Sequence, residues 1–183
     1  MIPSVLKQCA TSESMTSILS GAPLMGEAAM HDSNKIANEF LRLAKESGQS
    51  LTPMQLLKLV FIAHGWMLGL YGEPLISDDV QAWKYGPVIP DLYRSIRHFK
   101  GDPVTGVLAT KDDKDLDELE TDLIDQVFEN YSQYNGIQLS TLTHQAGSPW
   151  ALTYKPNQPD LVISKEIIKL YYSVKASQPE AQT

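Results

Sequence analysis

The chain has 183 residues, of which 43% are hydrophobic and 20% charged, and a formal net charge of −7. That is long enough to bury a core and too apolar for a disordered protein. A single cysteine, Cys9, excludes an intrachain disulfide and points to a reducing, cytoplasmic setting, and the acidic balance argues against nucleic acid as a partner, because phosphate neutralisation needs many lysines and arginines.

Residues 1–30 do not read as a secretory signal: Lys7, Gln8 and Glu13 break the apolar run, and residues 21–26 are rich in Gly, Pro and Ala. The expectation is a weakly ordered extension over 1–30, one helical domain over 31–176 and a disordered polar tail over 177–183. Met30 stands directly before a helix-start signal and is a candidate for the true start codon.

Ser33 is a candidate cap for a helix to about Glu46, with Ile36, Ala37, Phe40, Leu41 and Ala44 on one stripe and Gly48 as its stop. Thr52-Pro53-Met54-Gln55 is the clearest start in the chain. A Thr cap, Pro at the first helical position and Gln at the third make a capping box. The helix it opens, about 53–70, is apolar nearly all round, as expected of the buried centre of a domain. Lys58 and His64 interrupt it, and Leu59–Tyr71 alone is too short to cross a bilayer. Gly65 and Gly69 lie four apart on one face, where a neighbouring element can approach closely.

Gly72-Glu73-Pro74 ends that helix. Residues 75–85 read as a small β-hairpin at most, closed by Gly86-Pro87. Helices follow at about 90–99 (Leu92, Tyr93, Ile96 and Phe99 inward), 115–134 (Leu116, Leu119, Leu123, Val127, Phe128, Tyr131), 139–145 and 164–175 (Ile167, Ile168, Tyr171, Val174). The fold class expected is therefore mainly α: a compact single-domain bundle around the 53–70 helix.

Charge is uneven. Residues 111–125 carry eight acids against Lys111 and Lys114, whereas residues 84–100 carry Lys84, Arg94, Arg97 and Lys100 against Asp91. Both are read either as solvated helix faces or as surfaces that steer a partner. There is no phosphate loop, Cys pair, GxSxG turn or HExxH. The four histidines have no metal-ligand spacing, so no metal and no cofactor is expected. Thr143-His144 near Trp150 is the one place where a reactive site could be argued, but nucleophilic work also needs an orienting carboxylate and an oxyanion pocket. The expectation is that the protein is not an enzyme.

Three blocks carry a resemblance. They are Leu51-Thr52-Pro53-Met54-Gln55-Leu56-Leu57-Lys58-Leu59-Val60 with Gly65-Trp66, then Val80-Gln81-Ala82-Trp83-Lys84-Tyr85-Gly86-Pro87-Val88-Ile89-Pro90, then Leu142-Thr143-His144-Gln145 with Ser148-Pro149-Trp150. Together, over about residues 33–175, they resemble the Panacea domain family of SocA-like and phage-associated GepA-like antitoxins. The resemblance implies a compact helical antitoxin of a bacterial or prophage toxin–antitoxin system, which binds and neutralises a cognate protein toxin. It also leaves open an adaptor that hands the toxin to a processive protease; a transcriptional regulator is a further alternative. The family has no established catalytic residues, so none is carried over.

The candidate partner-binding residues are Trp83, Lys84, Tyr85, Arg94, Arg97, Lys100, His144 and Trp150. Aromatic residues in a turn-shaped block make good interface anchors. Trp83 and Tyr85 can equally close the core over the central helix, and the sequence leaves both readings open.

Overall fold

The Thr52–Gln55 capping box forms as the sequence predicts. Thr52 Oγ1 accepts from the Gln55 amide, and Gln55 Oε1 accepts from the Thr52 amide at 3.0 Å. From it runs α2, Pro53–Tyr71, which Gly72 closes in the left-handed conformation, φ 80°. The computed structural model describes residues 30–178; the expected N-terminal extension, Met30 apart, and residues 179–183 of the expected C-terminal tail lie outside the described residues. α2 is buried along most of its length, Lys58 and His64 included. By length and composition alone it could span a bilayer, with a mean hydropathy of 1.2, but 72% of that stretch is buried inside the protein. It is the core helix the sequence announced.

The described residues form seven α-helices and one two-stranded sheet. α1 (Ser33–Glu46), α4 (Glu118–Tyr131), α5 (Gly136–Thr143) and α7 (Lys165–Ser177) surround α2. α1 buries Ile36, Ala37, Phe40 and Ala44 as expected, but Asp32 rather than Ser33 caps it, accepting from Lys35 N–H at 2.9 Å. The Ser33 amide instead donates to Asp78 Oδ2 at 2.7 Å.

Gly65 and Gly69 explain why α7 lies so closely along α2. A Cβ on Gly65 would come within 2.2 Å of the Tyr172 ring, and one on Gly69 within 2.5 Å of Tyr172 Cβ and 2.7 Å of its backbone carbon. Tyr172 fills the notch edge-to-face on Trp66, ring centroids 5.1 Å apart. This sets the register of α7 and corrects its expected inward face: Ile168 and Tyr172 are buried, whereas Val174 is 50% exposed.

The hairpin is shifted relative to expectation. β1 (Gln81–Trp83) pairs antiparallel with β2 (Gly86–Val88), Ala82 opposite Pro87, so Gly86-Pro87 lies inside the hairpin and Lys84-Tyr85 is its turn. Proline is tolerated because β2 is an edge strand. The other side of β1 is covered by residues 161–163, with the Ala82 amide donating to Leu161 O at 2.8 Å. α3 (Pro90–Ile96) continues into a 3-10 turn, Arg97–Phe99.

Two further capping boxes move helix ends. Asp117 and Glu120 start α4 three residues after the expected Asp115, and Asn135 and Gln138 start α5 three residues before the expected Leu139. Glu120 is also buried. Its Oε2 lies 3.1 Å from Nε2 of the fully buried His31, whose Nδ1 lies 2.5 Å from Asp112 Oδ2. Part of the acidic run is therefore an internal tie rather than a solvated face. Ser148 caps a short helix, α6 (Pro149–Thr153), in a stretch where the sequence reading placed no helix.

Candidate functional site

Lys58 is the lone cation of α2 and is 1% exposed. Its ammonium reaches the hairpin and donates to the Pro87 carbonyl at 2.9 Å. Burial pulls its pKa down to about 7. Gly86, φ 109°, is required here: a Cβ would stand 2.6 Å from Lys58 Nζ and 3.2 Å from His144 Nε2. The Gly-Pro of the hairpin is thus seated on a buried lysine and an imidazole.

His144, the C-cap residue of α5, completes the support. Ser140 Oγ donates to the Tyr85 carbonyl at 3.1 Å, so it receives the Nδ1 proton of His144 at 3.4 Å. The lone pair of the imidazole is then on Nε2, which is buried without a hydrogen-bond partner beside Lys58. Burial, reinforced by the Lys58 charge, lowers the His144 pKa. The Thr143 hydroxyl donates to the Ser140 carbonyl at 2.9 Å.

The aromatic residues lock the outer face. Trp150 Nε1 donates to the Trp83 carbonyl at 2.7 Å, and its ring lies 3.8 Å from that of His144 and stacks on Tyr154 at 4.7 Å. Trp83 donates its indole N–H to Gln81 Oε1 at 2.8 Å and meets Tyr93 edge-to-face at 5.1 Å. Trp83 and Trp150 are half-buried, while Tyr85 is 63% exposed, with Lys84 Nζ 5.4 Å above its ring. The core reading therefore fits Trp83 in part and fails for Tyr85.

The structure brings together five of the eight candidate residues: Trp83, Lys84, Tyr85, His144 and Trp150. Arg94, Arg97 and Lys100 are exposed on α3 and the turn after it, and α3 meets the cluster through Tyr93. Arg94 pairs with Asp91 on its own helix. Sequence reasoning missed Lys58, Ser140 and Tyr154. Lys58 was signalled by being the one charge in an apolar helix; Ser140 and Tyr154 gave no signal, because their role depends on where α5 and α6 meet the hairpin.

A pocket of about 420 Å³ adjoins the cluster, between Trp83, Lys84, Tyr154 and the 155–160 loop. A second, of about 260 Å³, lies where His64 meets the start of α7. His64 Nδ1 accepts from the Ile76 amide at 3.3 Å, and burial together with Lys165 lowers its pKa to about 3.

Every residue of the hairpin, with Lys58, Ser140, His144 and Trp150, falls within residues 56–151, the stretch matched by the family model described as "Antitoxin SocA-like, Panacea domain". A protein of Caulobacter vibrioides (strain NA1000 / CB15N) named "Antitoxin SocA" is 29% identical over 141 residues, covering 70% of this chain and 73% of that protein. No solved structure matches the chain. The family model spans more than half of the sequence, and so this chain belongs to the SocA-like antitoxin, Panacea domain family.

Proposed function

We propose that the protein is a cytoplasmic antitoxin that neutralises a cognate protein toxin by direct binding, without catalysis, and that the toxin docks on the hairpin turn and the adjoining α5–α6 corner. The observation that carries this reading is Tyr85. It is a large aromatic residue, 63% exposed, at the tip of a turn fixed from below by Ser140, Lys58 and Trp150. A rigid, exposed aromatic offers contact area at little further entropic cost. Ile137 on α5 and Leu152 on α6, 74% and 63% exposed, are the large apolar side chains that those two helices offer to solvent. The family and the Caulobacter relative supply the class of partner.

The test uses the product of the adjacent gene as toxin. Tyr85→Ala is expected to weaken toxin binding by about 2 kcal/mol or more, as for an interface hot spot, with an unchanged melting curve, because Tyr85 supports nothing beneath it. The Arg94→Glu/Arg97→Glu variant tests whether the basic edge of α3 contributes through charge steering. Among the described residues Arg94 pairs with Asp91 on its own helix, so this variant should remain stable. Toxin affinity that survives Tyr85→Ala would overturn the docking surface. Toxin that disappears from cells only when a processive protease is present would favour the adaptor over simple inhibition.

A further inference from the structure

The pocket beside the hairpin is built from preorganised rings. Trp83 is held by Gln81 and Tyr93, and Tyr154 is stacked on Trp150, which is itself hydrogen-bonded to Trp83. Its far wall is the 155–160 loop, closed by the Lys155–Gln158 bridge and ending at Pro159-Asp160. A volume of about 420 Å³ lies within the ~300–1,000 Å³ of ligand-sized clefts. The rim is basic: Lys84 and Lys155 are exposed there, opposed by Asp160. That local excess of positive charge belongs to a chain with a net charge of −7.

We infer that this pocket receives an apolar side chain, aromatic or large aliphatic, from an extended stretch of the toxin whose neighbouring residues are aspartate or glutamate. The inference rests on the direct-binding reading and adds the chemistry of the partner. The rings supply the apolar seat, and Lys84 and Lys155, both exposed and both lining the pocket, offer ammonium groups to carboxylates that flank the anchor. A basic flanking sequence would meet two ammonium groups of like charge, so the same two lysines that attract an acidic segment reject a basic one.

The test titrates the full chain, followed by amide resonances, with three probes: an acetylated, amidated peptide with tryptophan between two pairs of aspartates, the same peptide with lysines in place of the aspartates, and octanoate. The expected result is saturable shifts at Lys84, Tyr154, Lys155 and Asn157 with the acidic peptide and binding weaker by about tenfold or more with the basic one. The Lys84→Glu/Lys155→Glu variant should reverse the order of the two peptides while keeping the wild-type melting curve, since both lysines are exposed, and should bind the toxin at least about tenfold more weakly. Equal binding of both peptides, absence of shifts at the pocket, octanoate binding as tightly as the acidic peptide, or burial of the pocket in a dimer of this chain would each overturn the inference. If the double-lysine variant retains toxin affinity while Tyr85→Ala loses it, direct binding stands and the pocket assignment falls. If the wild-type chain does not bind toxin at all, the functional reading falls with it.

Discussion

Trp150 donates its indole N–H to the carbonyl of Trp83 across 67 residues of sequence, at 2.7 Å. This bond joins α6 to the hairpin and holds together the two halves of the proposed docking face. Trp150→Phe keeps most of the ring contacts with His144 and Tyr154 and removes only the bond. It should cost about 1–3 kcal/mol of stability, the usual consequence of leaving a partly buried carbonyl unpaired, as read from chemical denaturation. Trp150→Ala should cost more, because the stack on Tyr154 is lost as well. Equal stability of Trp150→Phe and wild type would show that water replaces the indole without penalty.

Gly69→Ala should be among the most damaging single-methyl additions in the chain. The new Cβ would meet backbone atoms of Tyr172 and Ser173 at 2.7 and 2.9 Å, which cannot swing aside as a side chain can. Overpacking typically costs about 1–3 kcal/mol, and a backbone clash belongs at or above the top of that range. Gly101→Ala, where nothing lies within 4 Å and no positive φ is required, is the control and should be near neutral. Thermal melts of the two variants decide it.

Lys58 and His64 make stability rise with pH in two windows. The folded-state pKa of Lys58 is about 7 against an ordinary 10.5, so between these values the unfolded chain holds more protons and folding strengthens as pH rises, by at most about 1.4 kcal/mol per pH unit. His64, at about 3 against 6.5, adds the same sign of slope on the acid side. Lys58→Met should remove the slope between pH 7 and 10.5 while leaving the acid limb intact. Denaturation midpoints measured across that range would show a retained slope if another group were responsible.

His31→Ala should be strongly destabilising, by about 3–5 kcal/mol, because it strips the partner from two carboxylates held against the protein interior. Asp112 carries a second signature. Burial raises its pKa, but the Lys114 amide and His31 outweigh that and leave it below the ordinary carboxylate value. Its contribution is therefore complete above the usual Asp range and is lost as pH falls through the lowered value. In His31→Ala the acid limb of the stability profile should change shape as well as height; a uniform loss of stability at all pH values would show that the pair is not formed in solution.

The sequence by itself determined the central helix, its capping box, the glycine notch and the mainly helical class, because each rests on local chemistry or on periodicity within one element. Thr52 and Gln55 are three residues apart, and Gly65 and Gly69 lie one turn apart, so their roles are readable without knowing what surrounds them. That residues 82–88 form an aromatic, turn-shaped block was legible as composition. Its architecture was not. That Lys58 would reach Pro87, that Ser140 would hold the Tyr85 carbonyl and that Trp150 would hook Trp83 depends on contacts between residues 29, 55 and 67 positions apart. The same holds for His31, whose two carboxylate partners lie 81 and 89 residues away. A charged or polar side chain in sequence is ambiguous between solvent and an internal partner, since burial and pairing are properties of the packed arrangement. Only the tertiary structure decided that Lys58 and Glu120 are inside and that Tyr85 is out.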